Sequence, residues 1–324
     1  MVVTLPFSRN LQDLLSPNTS LRIAALDMGS NALRLLVADC KDDAIVPVWR
    51  QRQTTRLGQG LDSLSQGNRL AFAAKQRADE ALGLLVGRAR ELQARRIILV
   101  ATHASRKALD GAAFVNFLKN KWGLDEARVL SVEQEARLTR LGVLSVQADS
   151  RAWVLDIGAG STELAPLDSH QPGIYLPCGA LNLKEKYIEH DPPTVREMKN
   201  IRTFVGRQVD NWPRVKQLTA TSGTATCLAA LDLGLPTYNP DLINNHIVKR
   251  PRLMAIVGHL SRLPLPEREK VLNTAADRAD IIIAGLLIMS EILNALRLKA
   301  LTVVDAGILE GCLSDFLTSC KEKN

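Results

Sequence analysis

One order of apolar and polar residues occurs twice along this chain. In residues 24–37 an apolar run reaches Asp27, a turn of small residues with a hydroxyl group follows, and a second apolar run comes next. Residues 153–165 repeat this order around Asp156. Such runs are typical of buried strands, and Gly, Ser and Asn between them indicate a tight turn. Each copy therefore predicts a strand hairpin whose turn offers backbone N–H groups beside a carboxylate.

The rest of the chain alternates between strand and helix patterns. Residues 68–95 have apolar positions at helical spacing, whereas the short apolar run 97–101 is typical of a strand. The Pro- and Asn-rich segment 235–251 predicts a mobile surface loop. The other predicted elements are, in chain order, a strand at 45–53, a short strand at 129–131, a helix from 132, a strand and turn over 218–226, helices at 252–263 and 277–296, a strand and turn over 301–307, and a terminal helix.

The separation of the two hairpins predicts two related domains. Asp27 and Asp156 are 129 residues apart, and 324 residues are enough for two hydrophobic cores. Glycine in a turn lets a phosphate approach the main-chain N–H groups, and the Asp carboxylate is suited to hold a divalent cation. We therefore expect the two hairpins to grip one phosphorylated ligand between them.

Composition narrows the class of protein and of partner. The chain has 46% hydrophobic and 23% charged residues, as soluble globular proteins do, and its apolar stretch 281–289 is too short to span a membrane. The N-terminus lacks a secretory-signal pattern and the five cysteines lack zinc-site or disulfide spacing, so we expect a cytoplasmic protein with reduced thiols. The formal charge of +7 favours polyanionic partners. Because only 4% of residues are aromatic, a phosphate-rich molecule fits at least as well as nucleic acid.

Seven segments resemble, in the same order, the exopolyphosphatase/guanosine pentaphosphate phosphohydrolase (Ppx/GppA) family. That family belongs to the superfamily of sugar kinases, heat-shock chaperone ATPases and actin. Segments 27–34 and 156–163 resemble the first and second phosphate loops of that family. Segment 101–108 resembles its Thr-rich segment with an Arg, and 131–138 resembles the helix start that carries its catalytic Glu. The remaining segments are 220–226, 278–280 and 305–311.

The resemblance implies an α/β fold with two actin-like, ribonuclease H-like domains. Each domain is expected to have a mixed five-stranded sheet flanked by helices, with the active site in the inter-domain cleft. Residues 1–20 are then a leader, 21–131 together with 304–324 form domain I, and 132–303 form domain II. The helix after Asp305 is expected to cross back onto domain I.

Removal of a terminal phosphoryl group requires a cradle for phosphate oxygens, a cation and a carboxylate that orients water. The resemblance makes Glu135 the water-orienting base, with Asp156 and Glu163 as its partners. Asp27, Asp156 and Glu163 are the candidates for holding Mg²⁺, with Mn²⁺ and stimulation by a monovalent cation left open. The candidates for phosphate binding are Gly29, Ser30, Asn31, Arg34, Arg106, Gly158, Ala159, Gly160, Ser161, Thr162, Ser222, Gly223 and Thr224.

Two of these residues also have plainer interpretations. Glu135 is equally typical of an acid in the first turn of a helix, where the helix dipole favours it. Arg106 is equally typical of a solvated surface charge.

The predicted function is that of an exopolyphosphatase, a Mg²⁺-dependent enzyme that removes the terminal phosphate of linear inorganic polyphosphate. Hydrolysis of guanosine pentaphosphate is the first alternative, because both substrates end in a phosphoanhydride. A sugar kinase or ATPase is disfavoured by the Glu135 motif and by the lack of an evident sugar site. A non-catalytic binder of polyphosphate or alarmone is the third alternative. The expected partner is thus polyphosphate or a guanosine penta- or tetraphosphate; no membrane partner is expected, and a homodimer is left open.

Two residues depart from the family pattern. Ala159 stands in place of the middle of three glycines, which costs about 1 kcal/mol if the position needs a positive φ. Leu309 stands in place of an arginine that is expected to make an inter-domain or phosphate contact.

We predict that Ala159→Gly raises turnover or lowers KM for polyphosphate, because the alanine methyl group crowds the incoming phosphate. Steady-state phosphate release by the variant and the parent protein checks this. Unchanged kinetics would show that Ala159 is not a functional departure.

Overall fold

Two mixed β-sheets organise the chain, and each contains one of the predicted Asp hairpins. The computed structural model describes residues 20–41, 44–63, 67–147, 149–168 and 173–321, so residues 1–19 of the predicted leader lie outside the described part. The strands of the first sheet are β1 (Leu21–Met28), β2 (Ala32–Lys41), β3 (Ala44–Thr54), β4 (Arg96–Ala101) and β5 (Glu126–Val129). Their order is β3-β2-β1-β4-β5, with the first three antiparallel and β4 and β5 parallel to β1.

The first sheet is covered by helices on both faces. Helices α1 (Phe72–Glu91), α2 (His103–Lys107) and α3 (Gly111–Trp122) follow β3 and β4 in the chain. Successive residues of a strand point to opposite faces, so the strand residues divide between two cores. Leu26 and Leu99 pack with α1 and α3, whereas Ile23 and Ile98 belong to a second cluster on the other face.

In the part of the chain that the structure describes, the second sheet has six strands, one more than predicted. Its strands are β6 (Trp153–Ile157), β7 (Thr162–Pro166), β8 (Ile174–Leu176), β9 (Leu218–Thr221), β10 (His246–Lys249) and β11 (Ala300–Val303), in the order β10-β11-β9-β6-β7-β8. Strand β10 arises within the segment predicted as a surface loop, because it pairs antiparallel with β11 and buries Val248. The predicted α/β class with two mixed sheets is confirmed.

The helices of the second half enclose a large apolar core. They are α5 (Ala180–Tyr187), α6 (Val195–Val209), α7 (Ser222–Leu233), α8 (Pro240–Ile243), α9 (Arg250–Leu260), α10 (Leu265–Leu272) and α11 (Ile282–Ala295), with a 3₁₀ helix at Asn273–Arg278. Helix α11 is buried on nearly all sides. Among the described residues, no helix is both long enough and apolar enough to cross a membrane.

Two helices cross between the sheets with their backbones in contact. They are α4 (Val132–Leu144) and α12 (Ile308–Lys321). A Cβ atom at Gly142 would lie 1.9 Å from the carbonyl oxygen of Gly307, and one at Gly311 would lie 1.8 Å from that of Leu138. Helix α4 packs into the cores of both sheets. The domain boundary at 131/132 stays a prediction.

Strand β3 forms an ionic seam with the second half of the chain. Arg50 Nη1 lies 2.6 Å from Glu310 Oε1 on α12, and Arg52 pairs with Asp277 in the 3₁₀ helix. These arginines are two positions apart, so both point to the same side of the strand. The seam closes one flank of the space between the two sheets.

We predict that Gly311→Ala lowers the free energy of unfolding by about 2 kcal/mol or more, because the added methyl group has no room against the α4 backbone. Gly206→Ala in α6 is the matched control, since a Cβ atom there meets nothing within 4 Å. The control is expected to gain roughly 0.5–1 kcal/mol from the higher helix propensity of alanine. Urea unfolding of both variants checks this. Equal stability of Gly311→Ala and the parent would contradict the close crossing.

Candidate active site

The turns of the two Asp hairpins face each other across a narrow cleft between the sheets. Each turn is closed by a bond from the first glycine N–H to the carbonyl oxygen three residues on, at 3.0 Å in the first hairpin and 2.9 Å in the second. A Cβ atom at Gly160 would lie 2.3 Å from His103 Cδ2 and 2.7 Å from Ser30 Oγ. Only glycine therefore lets the second turn approach the first so closely.

Most of the predicted site residues line this cleft. The ends of β1 and β6 bring Asp27 and Asp156 to it, and the first turn of α4 brings Glu135. The cavity has a volume of about 70 Å³. The predicted residues that line it are Asp27, Gly29, Ser30, Asn31, Arg34, Glu135, Asp156, Gly158, Ala159, Gly160, Ser161, Glu163, Ser222 and Gly223.

Two predicted phosphate-binding hydroxyl groups are directed elsewhere. Thr162 Oγ1 donates to the carbonyl oxygen of Cys178 at 2.8 Å, and Thr224 Oγ1 donates to that of Ile157 at 3.2 Å. Both threonines are buried and neither lines the cleft. Their hydroxyl groups hold the second turn and the start of α7 in place instead of facing a ligand.

The two departures from the family pattern are accommodated by packing. In the described residues neither hairpin turn contains a positive φ, so the expected strain at Ala159 is absent. Ala159 instead packs against Ala180, Leu181 and Ile281. Leu309 is buried in the cluster between α12 and the first sheet, which replaces a polar contact with apolar burial.

Asp27 and Arg34 form an ion pair at the base of the first turn. They are direct partners in the β1–β2 register, and Arg34 Nε and Nη2 lie 2.8 Å and 2.5 Å from Asp27 Oδ2. Burial disfavours the guanidinium charge, but the carboxylate outweighs burial and the net effect raises the pKa of Arg34. Arg34 is therefore held by Asp27, while Asp27 Oδ1 is buried without a hydrogen-bond partner.

Glu135, which lines the cleft, forms a second ion pair with Arg106, a predicted phosphate-binding residue that does not line it. Ser131 caps α4 with a capping box, which begins the helix so that Glu135 lies in its first turn and points inward. Arg106 Nη1 donates to Glu135 Oε2 at 2.6 Å and to the carbonyl oxygen of Leu130 at 3.0 Å. Burial raises the pKa of Glu135 to about 7, although Arg106 opposes this shift. Glu135 does lie in the first turn of a helix, as its plainer interpretation has it, but it is also buried and ion-paired. Arg106 is paired with Glu135 and is therefore not a solvated surface charge.

Further carboxylates make the cleft strongly acidic. Burial raises the pKa of Asp156, and the nearby charge of Asp27 adds to the shift. Burial, together with Glu135 and Asp156, raises the pKa of Glu163 well above its ordinary value. Glu163 Oε1 is buried and has no hydrogen-bond partner. Four carboxylates thus repel one another here, an arrangement that a bound cation would relieve.

Several buried donors in and beside the cleft also lack partners among the described residues. These are Ser30 Oγ, Asn31 Nδ2 and Arg106 Nη2. Buried polar atoms are nearly always hydrogen-bonded in folded proteins, so these donors are available to a ligand. Their chemistry suits the oxygen atoms of a phosphate.

Arg278 is a site residue that the sequence interpretation missed. Its guanidinium group lies against Gly223, where a Cβ atom would be 1.9 Å from Arg278 Cζ, and it lines the cleft. The described residues give it no salt bridge, and burial lowers its pKa to about 9. The sequence offered one sign of this role, because segment 278–280 is among those that resemble the family. Its position before a long apolar helix did not show that Arg278 faces the cleft.

Ser222 has a strained backbone at the edge of the cleft. Its φ is 68°, a left-handed conformation that is uncommon outside glycine, and its hydroxyl group donates to the carbonyl oxygen of Ile157 at 3.0 Å. Backbone strain of this kind is concentrated at functional sites. The turn into α7 is therefore a third loop that faces the ligand space.

A second cavity of about 280 Å³ adjoins the cleft and shares Asp156, Ser222 and Arg278 with it. Its lining combines apolar side chains with several arginine side chains. Its apolar and aromatic lining includes Cys227, Ala230, Leu231, Leu235, Tyr238 and Leu272, and its arginines are Arg34, Arg50, Arg52 and Arg278. The combination suits a ligand with an apolar or aromatic part joined to phosphates.

Two opposed Asp hairpins over a carboxylate-lined, anion-receiving cleft define a phosphoryl-transfer protein of the actin-like class. The model of the Ppx/GppA phosphatase family matches residues 36–320. Exopolyphosphatase 2 of Mycobacterium tuberculosis is 28% identical over 312 residues, which cover 90% of this chain and 97% of that protein. The guanosine-5'-triphosphate,3'-diphosphate pyrophosphatase of Vibrio cholerae is 24% identical over 311 residues, 93% of this chain and 60% of that protein.

A solved structure of the Ppx/GppA family member of Aquifex aeolicus has a TM-score of 0.78 and 28% identity, and covers 94% of this chain and 100% of that one. This chain belongs to the Ppx/GppA phosphatase family. The predicted family, the two-domain actin-like fold and the predicted class of enzyme, a phosphoanhydride hydrolase, are confirmed.

We predict that Glu163→Gln stabilises the metal-free protein at pH 8. The folded-state pKa of Glu163 is raised, so the folded state binds more protons than the unfolded state above about pH 4. Stability of the parent protein therefore falls as pH rises towards the folded-state pKa, whereas glutamine does not titrate. Thermal unfolding with a chelator should give a Tm about 2–4 °C above the parent at pH 8, with the gain shrinking towards pH 5.

Glu133→Gln is the control for this comparison, since Glu133 is exposed on the same helix as Glu135. It is expected to leave the Tm difference between pH 5 and pH 8 unchanged. A Glu163→Gln protein that unfolds below the parent at pH 8 would overturn the view that the carboxylates repel one another.

Proposed function

We propose that this protein hydrolyses the terminal phosphoanhydride of linear inorganic polyphosphate, with Mg²⁺ and a water molecule oriented by Glu135. The observation that carries the proposal is the convergence of unpartnered buried donors and mutually repelling carboxylates in one cleft. Donors receive the phosphate oxygens, and carboxylates serve a cation and a water molecule. The exopolyphosphatases among its relatives support polyphosphate as the first choice of substrate.

The residues of the cleft fit Mg²⁺. Magnesium prefers oxygen ligands, keeps several waters and uses one or two carboxylates together with substrate phosphates. Asp27 Oδ1 and Glu163 Oε1 are buried oxygens without partners, and Asp156 lies in the same cavity. Within the described ranges no three His, Cys, Asp or Glu side chains already form a metal-binding cluster, which agrees with an ion held partly by water and substrate. A bound Mg²⁺ would neutralise charge on the phosphoryl oxygens.

Protein side chains then carry out the remaining steps. Ser30, Asn31 and the hairpin N–H groups hold the terminal phosphoryl group, and Arg278 contributes a positive charge from the other side. Glu135 accepts a proton from water while the water oxygen bonds to the terminal phosphorus. The bond from that phosphorus to the bridging oxygen breaks, and the shortened chain leaves with the bridging oxygen. Arg106 favours the charged form of the Glu135 carboxylate against the effect of burial and holds its Oε2 in place.

The adjoining cavity favours guanosine pentaphosphate as a second candidate substrate. Its apolar side chains next to arginines would accept a nucleoside while the phosphates extend into the cleft. Tyr238 lines that cavity and is remote from the hairpin turns. The relative from Vibrio cholerae, named for action on a guanosine nucleotide, supports the same substrate class.

We predict that phosphate release from long-chain polyphosphate with Mg²⁺ falls by about 100-fold or more in Glu135→Gln, because loss of the proton acceptor removes general-base catalysis. Glu133→Gln, two residues away and exposed, should keep parental activity. The measurement is inorganic phosphate released from polyphosphate, guanosine pentaphosphate and ATP by the three proteins.

The other outcomes separate the candidates. A higher kcat/KM for guanosine pentaphosphate, lost selectively in Tyr238→Ala, would promote the second substrate. Binding of polyphosphate without phosphate release from any of the three compounds would make the protein a binder and overturn the proposal.

A further inference from the structure

Tyr175 brings an aromatic side chain from the second sheet to the edge of the cleft. It lies on β8 directly opposite Glu163 of β7, so both side chains project from the same face of the sheet. Tyr175 is half-buried and does not belong to any motif that the sequence interpretation used. Its ring and its hydroxyl group each contact a residue of α2, which belongs to the other half of the chain.

The hydroxyl group of Tyr175 is bonded to His103. Tyr175 Oη lies 2.9 Å from His103 Nδ1, and the two rings are stacked with centroids 6.4 Å apart. Burial and the nearby cation Arg106 lower the pKa of His103 to about 4, so the imidazole is neutral near pH 7. His103 also lies against Gly160 of the second turn. The histidine is therefore held between the tyrosine and that turn.

The ring of Tyr175 supports Arg106. The Arg106 guanidinium carbon is 5.6 Å from the ring centroid, within the range of a cation–π contact. His103 and Arg106 are three residues apart in α2, on one side of that short helix. Tyr175 thus contacts α2 at two points, and α2 has no side-chain cap of its own.

We propose that Tyr175 is a positioning residue that holds α2 so that Arg106 stays on Glu135. The inference rests on the proposed hydrolysis, since it concerns the orientation of that base. Its hydroxyl group acts through His103 and also on Arg106, and its ring acts through Arg106. Arg106 donates to Leu130 O and to Glu135 Oε2, so Tyr175 adds a further restraint on the guanidinium group.

Graded substitutions test the two contacts separately. Tyr175→Phe removes only the hydroxyl group and is expected to lower kcat/KM for polyphosphate about threefold to tenfold. Tyr175→Leu removes both contacts and should lower it further, by about 30-fold or more. Tyr187→Leu is the matched control, because its ring also lies under a cation, Lys186, but packs on the core of the second half. The control should stay within about twofold of the parent.

Double-mutant cycles distinguish positioning from a general loss of structure. In a His103→Ala background, Tyr175→Phe should cost less activity than it does in the parent, and in an Arg106→Ala background, Tyr175→Leu should act no more strongly than Tyr175→Phe. Independent, additive losses would overturn the proposal, as would parental activity of Tyr175→Leu. If the leucine variant does not fold, Tyr175→Met takes its place, since methionine fills irregular space.

A readout without turnover separates this proposal from the proposed function. In ¹⁵N-labelled protein, Tyr175→Phe should shift the ring-nitrogen resonances of His103, whereas Tyr187→Phe should leave them in place. Absence of phosphate release by the parent protein would remove the proposed function but leave this test of the contact intact. Unshifted His103 resonances in Tyr175→Phe would overturn the contact itself.

Discussion

The backbone contact between α4 and α12 is the constraint on which the rest of the structure depends. Gly142 and Gly311 allow the two helices to cross with no side chain between them. The same two helices form part of the core against the first sheet, and α4 also packs on the second. Because Glu135 lies in the first turn of α4, the crossing that joins the sheets also fixes the proposed base at the cleft. Packing and chemistry therefore share one element.

The cleft is organised at a cost in stability that a bound anion and cation would offset. Buried carboxylates with raised pKa values, unpartnered donors and the strained Ser222 each oppose folding of the free protein. All are compatible with a phosphate chain and a cation, which would supply the missing partners and charge. In the free protein, the ion pairs of Asp27 with Arg34 and of Glu135 with Arg106 limit the repulsion among the carboxylates. The site is thus incomplete by itself, as a binding site for a polyanion and a cation should be.

Local pattern predicted the site well where one element determines it. Both Asp hairpins, their facing arrangement and the start of α4 at Val132 follow from short segments and their order, whereas the grouping of Glu135 with Asp27 and Asp156 came from the family resemblance. Features that depend on distant pairing were not predictable, because they are fixed by tertiary contacts. Strand β10 exists because β11 offers an edge, Thr162 turns its hydroxyl group to Cys178, and Tyr175 meets α2 only in the folded chain. The predicted cytoplasmic location and homodimer stay predictions.

The glycine crossing has a mechanical consequence for the residue proposed as the base. In a rotation of one sheet against the other about this contact, each atom would move in proportion to its distance from the axis. Glu135 precedes Gly142 by seven residues, about 10 Å along the helix. Glu135 would therefore sit on a short lever arm, and such a rotation would move it less than residues that lie farther from the crossing.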